Sequence, residues 1–104
     1  MKLVGGDIGK YEREIFVDSV IIAPAERYIV EVYFSKSGSY EFKNITPESK
    51  YTLGNIEVSD EKIETSYETT FQNLRVNSEV ITDIDTFRPY FSKNPDKTLI
   101  LDMT

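Results

Sequence analysis

The 104-residue sequence contains no cysteine and no histidine. The first absence removes disulfides, thiolate nucleophiles and sulfur ligands, and leaves the redox compartment unmarked. The second removes imidazole, the commonest general base near neutral pH. Together they remove the ligands from which zinc, copper and haem sites are mostly built. Long apolar runs are also missing. The longest, Val20 to Ala25, is strand-sized and contains Pro24, whereas a membrane helix requires ~20 apolar residues. The start, Met1-Lys2-Leu3-Val4-Gly5-Gly6, reaches glycine too early for the apolar centre of a signal peptide. The compartment is therefore left open. Basic residues are outnumbered, 12 against 18 acidic, for a net charge of −6. That balance opposes phosphate backbones and anionic headgroups, so neither nucleic acid nor a membrane is expected as a partner.

What is present is aromatic and β-branched. Seven tyrosines and six phenylalanines supply large apolar area per residue, enough for one modest core in a single small domain. The stretch from Glu14 to Ala23 reads as a strand that Pro24 ends by lacking a backbone donor. In Tyr28 to Phe34, Tyr28, Val30, Val32 and Phe34 fall on one face, which the alternation predicts as core, and Ile29, Glu31 and Tyr33 on the other. Tyr40 and Phe42 alternate likewise with Glu41 and Lys43. The Gly38 turn between the two runs predicts a hairpin. Tyr51 to Ser59 is a further strand, with Gly54 marking a bulge or close approach. Residues 60–97 read as a connector, in which Val80, Ile81, Ile84 and Phe87 allow one helical turn ended by Pro89. Thr98 to Thr104 reads as the start of another strand. The expected organisation is thus strands of a sandwich over 1–59, a connector over 60–97, and over 98–104 the first strand of a following domain or a swapped strand.

Motifs that could carry chemistry are weak. The glycines Gly5, Gly6 and Gly9 do not have the spacing of a dinucleotide fingerprint and no helix follows them, so they read as a bend. Asp60, Asp83 and Asp85 lack the register and the glycine of a calcium loop. Asn44-Ile45-Thr46 fits the glycosylation triplet, weakened by Pro47. A pair of hydrolase carboxylates distant along the chain remains open. The tyrosines could form a stacking platform, although most occupy inward positions and read as core. No catalytic, cofactor-binding or metal-ligating residue is assigned.

The segment Leu3-Val4-Gly5-Gly6-Asp7-Ile8-Gly9, followed by Val17 to Ala23 and then Pro24-Ala25-Glu26-Arg27 and the valine-rich strand, resembles the middle cupredoxin domain of a multicopper oxidase (laccase-like). Gly38 to Tyr40 is similar to that domain's next hairpin, Leu74-Arg75-Val76 to its connector, and Thr98 to Thr104 to the first strand of the last domain. The resemblance implies an all-β, cupredoxin-like Greek-key sandwich, incomplete in this chain. It also implies a scaffolding role in an oxidoreductase that oxidises a substrate at copper and reduces dioxygen to water, with export of the parent compatible with the resemblance. The copper ligands of that family are histidines and a cysteine in its first and last domains, so none carries over and no cofactor is expected in this chain. The implied partners are neighbouring cupredoxin domains, and exposed sheet edges predict self-association. The alternative is a free-standing β-sandwich interaction module of adhesin or immunoglobulin-like type.

Overall fold

A computed structural model describes residues 1–102 of the chain. These are mostly β: two separate antiparallel sheets, with short helices in the second half. Strands β1 (Lys2–Gly6), β2 (Gly9–Phe16) and β3 (Tyr28–Glu31) form one sheet in the order β2-β1-β3. Strands β4 (Gly38–Ile45) and β5 (Lys50–Val58) form a separate hairpin. Helices α1 (Glu68–Gln72), α2 (Ser78–Asp85) and α3 (Arg88–Phe91) follow.

The three glycines at the β1–β2 turn are explained by crowding rather than by a ligand. A Cβ on Gly5 would lie 2.6 Å from the carbonyl oxygen of Gly9, and Gly9 itself has φ +117°, a conformation that side chains rarely adopt. Antiparallel pairing sets Leu3 opposite Ile15 and Val30, and Lys2 opposite Phe16 and Glu31. One face of the sheet is therefore apolar and the other carries charge. A bulge between Leu3 and Gly5 interrupts both pairings.

The pairing differs from the sequence expectation. The β3 strand pairs with β1, not with β4, and the predicted Gly38 hairpin is replaced by one that turns at Thr46 to Ser49. Two alternating runs with a glycine between them carry no record of which partner each will choose. The strand predicted over Glu14 to Ala23 instead runs from Gly9 to Phe16, and residues 17–27 are irregular. Pro89 does not end the helical stretch: α2 closes at Asp85, and Pro89 sits in the first turn of α3, where its missing donor has no helical partner to lose. Residues 98–102 carry no regular structure, and the rest of the expected last strand, Met103 and Thr104, lies outside the described residues.

The predicted core is uncovered. No hydrophobic residue among those described is buried; Phe42 is 58% and Val32 45% exposed. The radius of gyration is 19.1 Å, where a compact chain of this length has about 13 Å. The accessible surface is 9607 Å², against about 6,000 Å² for a compact protein of this mass. The hairpin and the three-stranded sheet have not stacked on one another.

Candidate functional site

The buried side chains among the described residues are charged. Lys2 is 1% and Glu14 4% exposed, and both lie on the charged face of the three-stranded sheet. Lys2 Nζ is 2.8 Å from Glu31 and 3.5 Å from Glu14, and it donates to the carbonyl of Asn73 at 3.3 Å. Arg75 completes the group. Its backbone N–H and its Nε both donate to the Glu14 carboxylate, at 3.0 and 2.5 Å, and its terminal nitrogen donates to Glu31 at 2.6 Å. Phe71 covers this face, with its ring 5.5 Å from Phe16, 5.5 Å from Tyr33, and 5.5 Å from Lys2 Nζ.

Burial pushes the Glu14 carboxyl up, but the hydrogen bonds from Arg75 and the charges of Lys2 and Arg75 outweigh it and hold the group below its ordinary 4.5. The Lys2 hydrogen bond does most to lower Glu31; burial opposes it, and Arg75 adds to the lowering. The same bonds to Glu14 and then Glu31 raise Arg75. Two cations neutralise two carboxylates, and each carboxylate oxygen has at least one partner within the group. This is a structural device.

Residues 75–77 lie along the edge of β2, joined to it by an isolated bridge and two backbone hydrogen bonds. The Glu14 N–H donates to the Arg75 carbonyl at 3.1 Å and the Asn77 N–H to the Glu12 carbonyl at 2.9 Å, with a bridge between Arg13 and Val76. The Asn77 side chain donates to the Tyr11 carbonyl at 2.6 Å rather than capping α2. The connector thus passes from the charged face, along the β2 edge, to the apolar face. There Val80 and Ile84 of α2, with Leu3 and Ile15, line an open groove of 830 Å³. Arg88 joins α3 to β2 through Glu12 and to the end of α2 through Asp85, 2.5 Å away.

A second cluster joins the two blocks on which the family resemblance rests. The Arg27 backbone N–H and Nε donate to the two oxygens of Asp7, at 3.1 and 2.6 Å. Glu26 accepts from the Ala23 N–H at 2.7 Å, closing the Pro24-Ala25 turn. Ala25 has φ 68°, left-handed backbone that costs a residue with a Cβ roughly 1–2 kcal/mol. Ala25→Gly is accordingly expected to raise stability by about 0.5–1 kcal/mol, once the larger entropy of glycine in the unfolded chain is deducted. Chemical denaturation of the two proteins measures it.

The acids considered for calcium do not converge. Asp83 and Asp85 stand two apart on α2, a spacing that points side chains away from each other, and Asp85 is engaged by Arg88. No group of three or more acidic residues that could hold a metal ion occurs among the described residues. With histidine and cysteine absent as well, the donors present do not fit copper. The hydroxyl of Thr46, in the glycosylation triplet, is engaged with Ser49. The tyrosines form no platform: Tyr33 stacks on Phe71 and Tyr40 leans on Phe34, while Tyr51, Tyr67 and Tyr90 lie exposed on separate elements.

The charged group has little local signature in the sequence. Alternation put Glu31 opposite the apolar positions of its strand, and a lysine and a glutamate inside β-branched stretches were the remaining signal. Arg75, 61 residues from Glu14, had none. No family model matches the chain, and comparison with curated proteins and with solved structures returns no match.

Proposed function

We propose that the chain is a non-catalytic, scaffolding part of a copper-dependent oxidoreductase of the multicopper oxidase kind, built on a cupredoxin-like Greek-key sandwich. The observation that carries this reading is the clasp between Asp7 and Arg27. The glycine-aspartate turn and the proline-alanine-glutamate-arginine turn, 20 residues apart, form one structural unit, and these are the segments that resemble the family. Oxidation of the substrate and reduction of dioxygen would be supplied by coppers held elsewhere in the parent. This chain would contribute rigidity between domains, where a displacement of ~1 Å is costly to a shared site.

The coding sequence on either side of this segment tests the reading. Histidine-rich stretches on both sides, with a histidine-cysteine-histidine motif downstream, are the expected result. Flanks that encode neither would overturn it. They would leave the reading favoured by the exposed hairpin face, a β-sandwich interaction module.

A further inference from the structure

After α3 the chain turns and leaves an apolar run uncovered. Asn94-Pro95-Asp96-Lys97 has the signature of a tight turn, asparagine first and proline second, and the backbone bends at Asp96. Beyond it, Leu99, Ile100 and Leu101 are 78%, 91% and 90% exposed. Lys97 and Asp102 flank this run with opposite charges.

The groove between α2 and the three-stranded sheet has a matching arrangement. Val80 and Ile84 form its helical side, Leu3 and Ile15 its sheet side, and its charges divide by element: Glu79 and Asp83 on α2, Lys10 and Arg13 on β2. Lys10 and Glu79 stand 3.8 Å apart, and Glu12, the one lining acid on β2 outside the charged cluster, is taken by Arg88. Asp83 and Arg13 have no ion-pair partner among the described residues. With α2 over part of it and charge on both sides, the groove fits a narrow segment that has an apolar middle and charged ends. The tail starts beside it. Arg88 ties α3 to Glu12, a groove residue, and to Asp85 at the end of α2. From Phe91, the last residue of α3, an extended chain to Thr98 spans roughly 23 Å, so the run can fold back over the groove.

We infer that residues 98–102 are a strap that closes over this groove, with Lys97 against Asp83 and Asp102 against Arg13. Leu99 and Leu101 share one face of an extended segment and seat across Val80, Ile84, Leu3 and Ile15, while Ile100 points outward. The order of charges fits this path. The strap enters from the α2 side, where the acids are, with its lysine, and ends over β2, where the cations are, with its aspartate. Burial of two leucine side chains is of the same size as the entropy lost in ordering residues 98–102. Open and closed forms therefore coexist, and the structure shows the open one, with these residues irregular and exposed. The strap is a property of the 104-residue chain and does not rest on the copper-oxidase reading. A following domain that took up residues 98–104 would have to lift them from the groove.

Because the chain has no cysteine, two introduced thiols define one crosslink. In dilute solution, the Glu79→Cys, Ile100→Cys protein treated with a short bismaleimide is expected to become an internally linked monomer, read by mass. It should do so at least tenfold faster than a Phe42→Cys, Ile100→Cys protein, whose first thiol lies on the hairpin. Adding Leu99→Asp and Leu101→Asp to the first protein should slow linkage at least tenfold. Both leucines are exposed in the open form, so the rest of the fold is unchanged, which circular dichroism checks. Asp83→Lys should slow linkage about threefold, and Lys97→Glu added to it should restore the rate. Linkage to the hairpin as fast as to the groove overturns the proposal. So does linkage that persists with the two aspartates in place, or a charge reversal at residue 83 that the reversal at residue 97 does not restore.

Discussion

Lys2→Ala in the 104-residue chain is expected to lower the thermal midpoint by about 12–24 °C, the equivalent of about 3 kcal/mol in a domain this small. Lys2 is the most buried side chain among the described residues, and it sits between two carboxylates. Removing it leaves Glu14 out of water with one cation instead of two. Breaking a buried pair from one side typically costs about 3–5 kcal/mol, and the lower end applies because Arg75 still serves Glu14. The cost comes from the charge left behind, so replacing both partners should behave differently. The double variant Lys2→Met, Glu14→Leu is expected to recover at least half of the lost midpoint, since apolar side chains of similar volume satisfy a buried site without solvation. Calorimetry on the three proteins decides it. A double variant no more stable than the single one would show that the group stabilises through its hydrogen bonds and not merely by avoiding an unpaired charge.

Acid should release the connector from the sheet before the hairpin opens. Glu14 and Glu31 are both held below 4.5 in the folded chain. A depressed carboxylate contributes stability that is fully present above its unfolded value and disappears as pH falls through the folded one. Attachment of residues 73–77 is therefore expected to be undiminished from neutrality down to about pH 5.5, and to weaken progressively below about pH 4.5. The value of Arg75 is raised by the same bonds to Glu14 and Glu31, so its contribution fades only at the far alkaline end of the scale and leaves the acid window unchanged. Amide hydrogen exchange at Arg75 and Asn77, whose N–H groups donate to Glu14 and to the Glu12 carbonyl, reports the release directly. Protection at those amides should fall at least tenfold more between pH 6 and pH 3.5 than at the β4–β5 amides, after correction for intrinsic rates. Glu14→Gln should flatten most of that difference. Unchanged protection at pH 3.5 would mean that the backbone ladder along β2 holds the connector without the carboxylates.

These two expectations concern residues that a reading of the sequence passes over, and the reason is physical. Local alternation reports which residues share a strand face, because successive side chains point to opposite sides whatever the partner strand is. It therefore located Tyr40, Phe42 and the strand around Tyr51 correctly as elements, and set Glu31 apart from Val30. Pairing is a long-range choice. It placed β3 against β1 and gave the Gly38 run to β5, and it turned the expected core positions Val32 and Phe42 into exposed surface because no second layer closes over them. The glycines at the first turn were legible as a bend, but the clash that a Cβ on Gly5 would make depends on where the Gly9 carbonyl falls.

By itself the sequence determined the chemistry that is ruled out. Without histidine or cysteine, no imidazole or thiolate can act or ligate, however the chain folds. It also determined the all-β character of the first half, through β-branched and aromatic residues at period two. Only the tertiary structure decided that the charged residues Lys2, Glu14, Glu31 and Arg75 meet, since their separations along the chain carry no local signal. It alone decided that the connector bridges to the edge of β2, and that the hairpin stays apart from the three-stranded sheet. Those outcomes rest on which surfaces come together in space, and burial is a property of the assembled surfaces and not of any residue type.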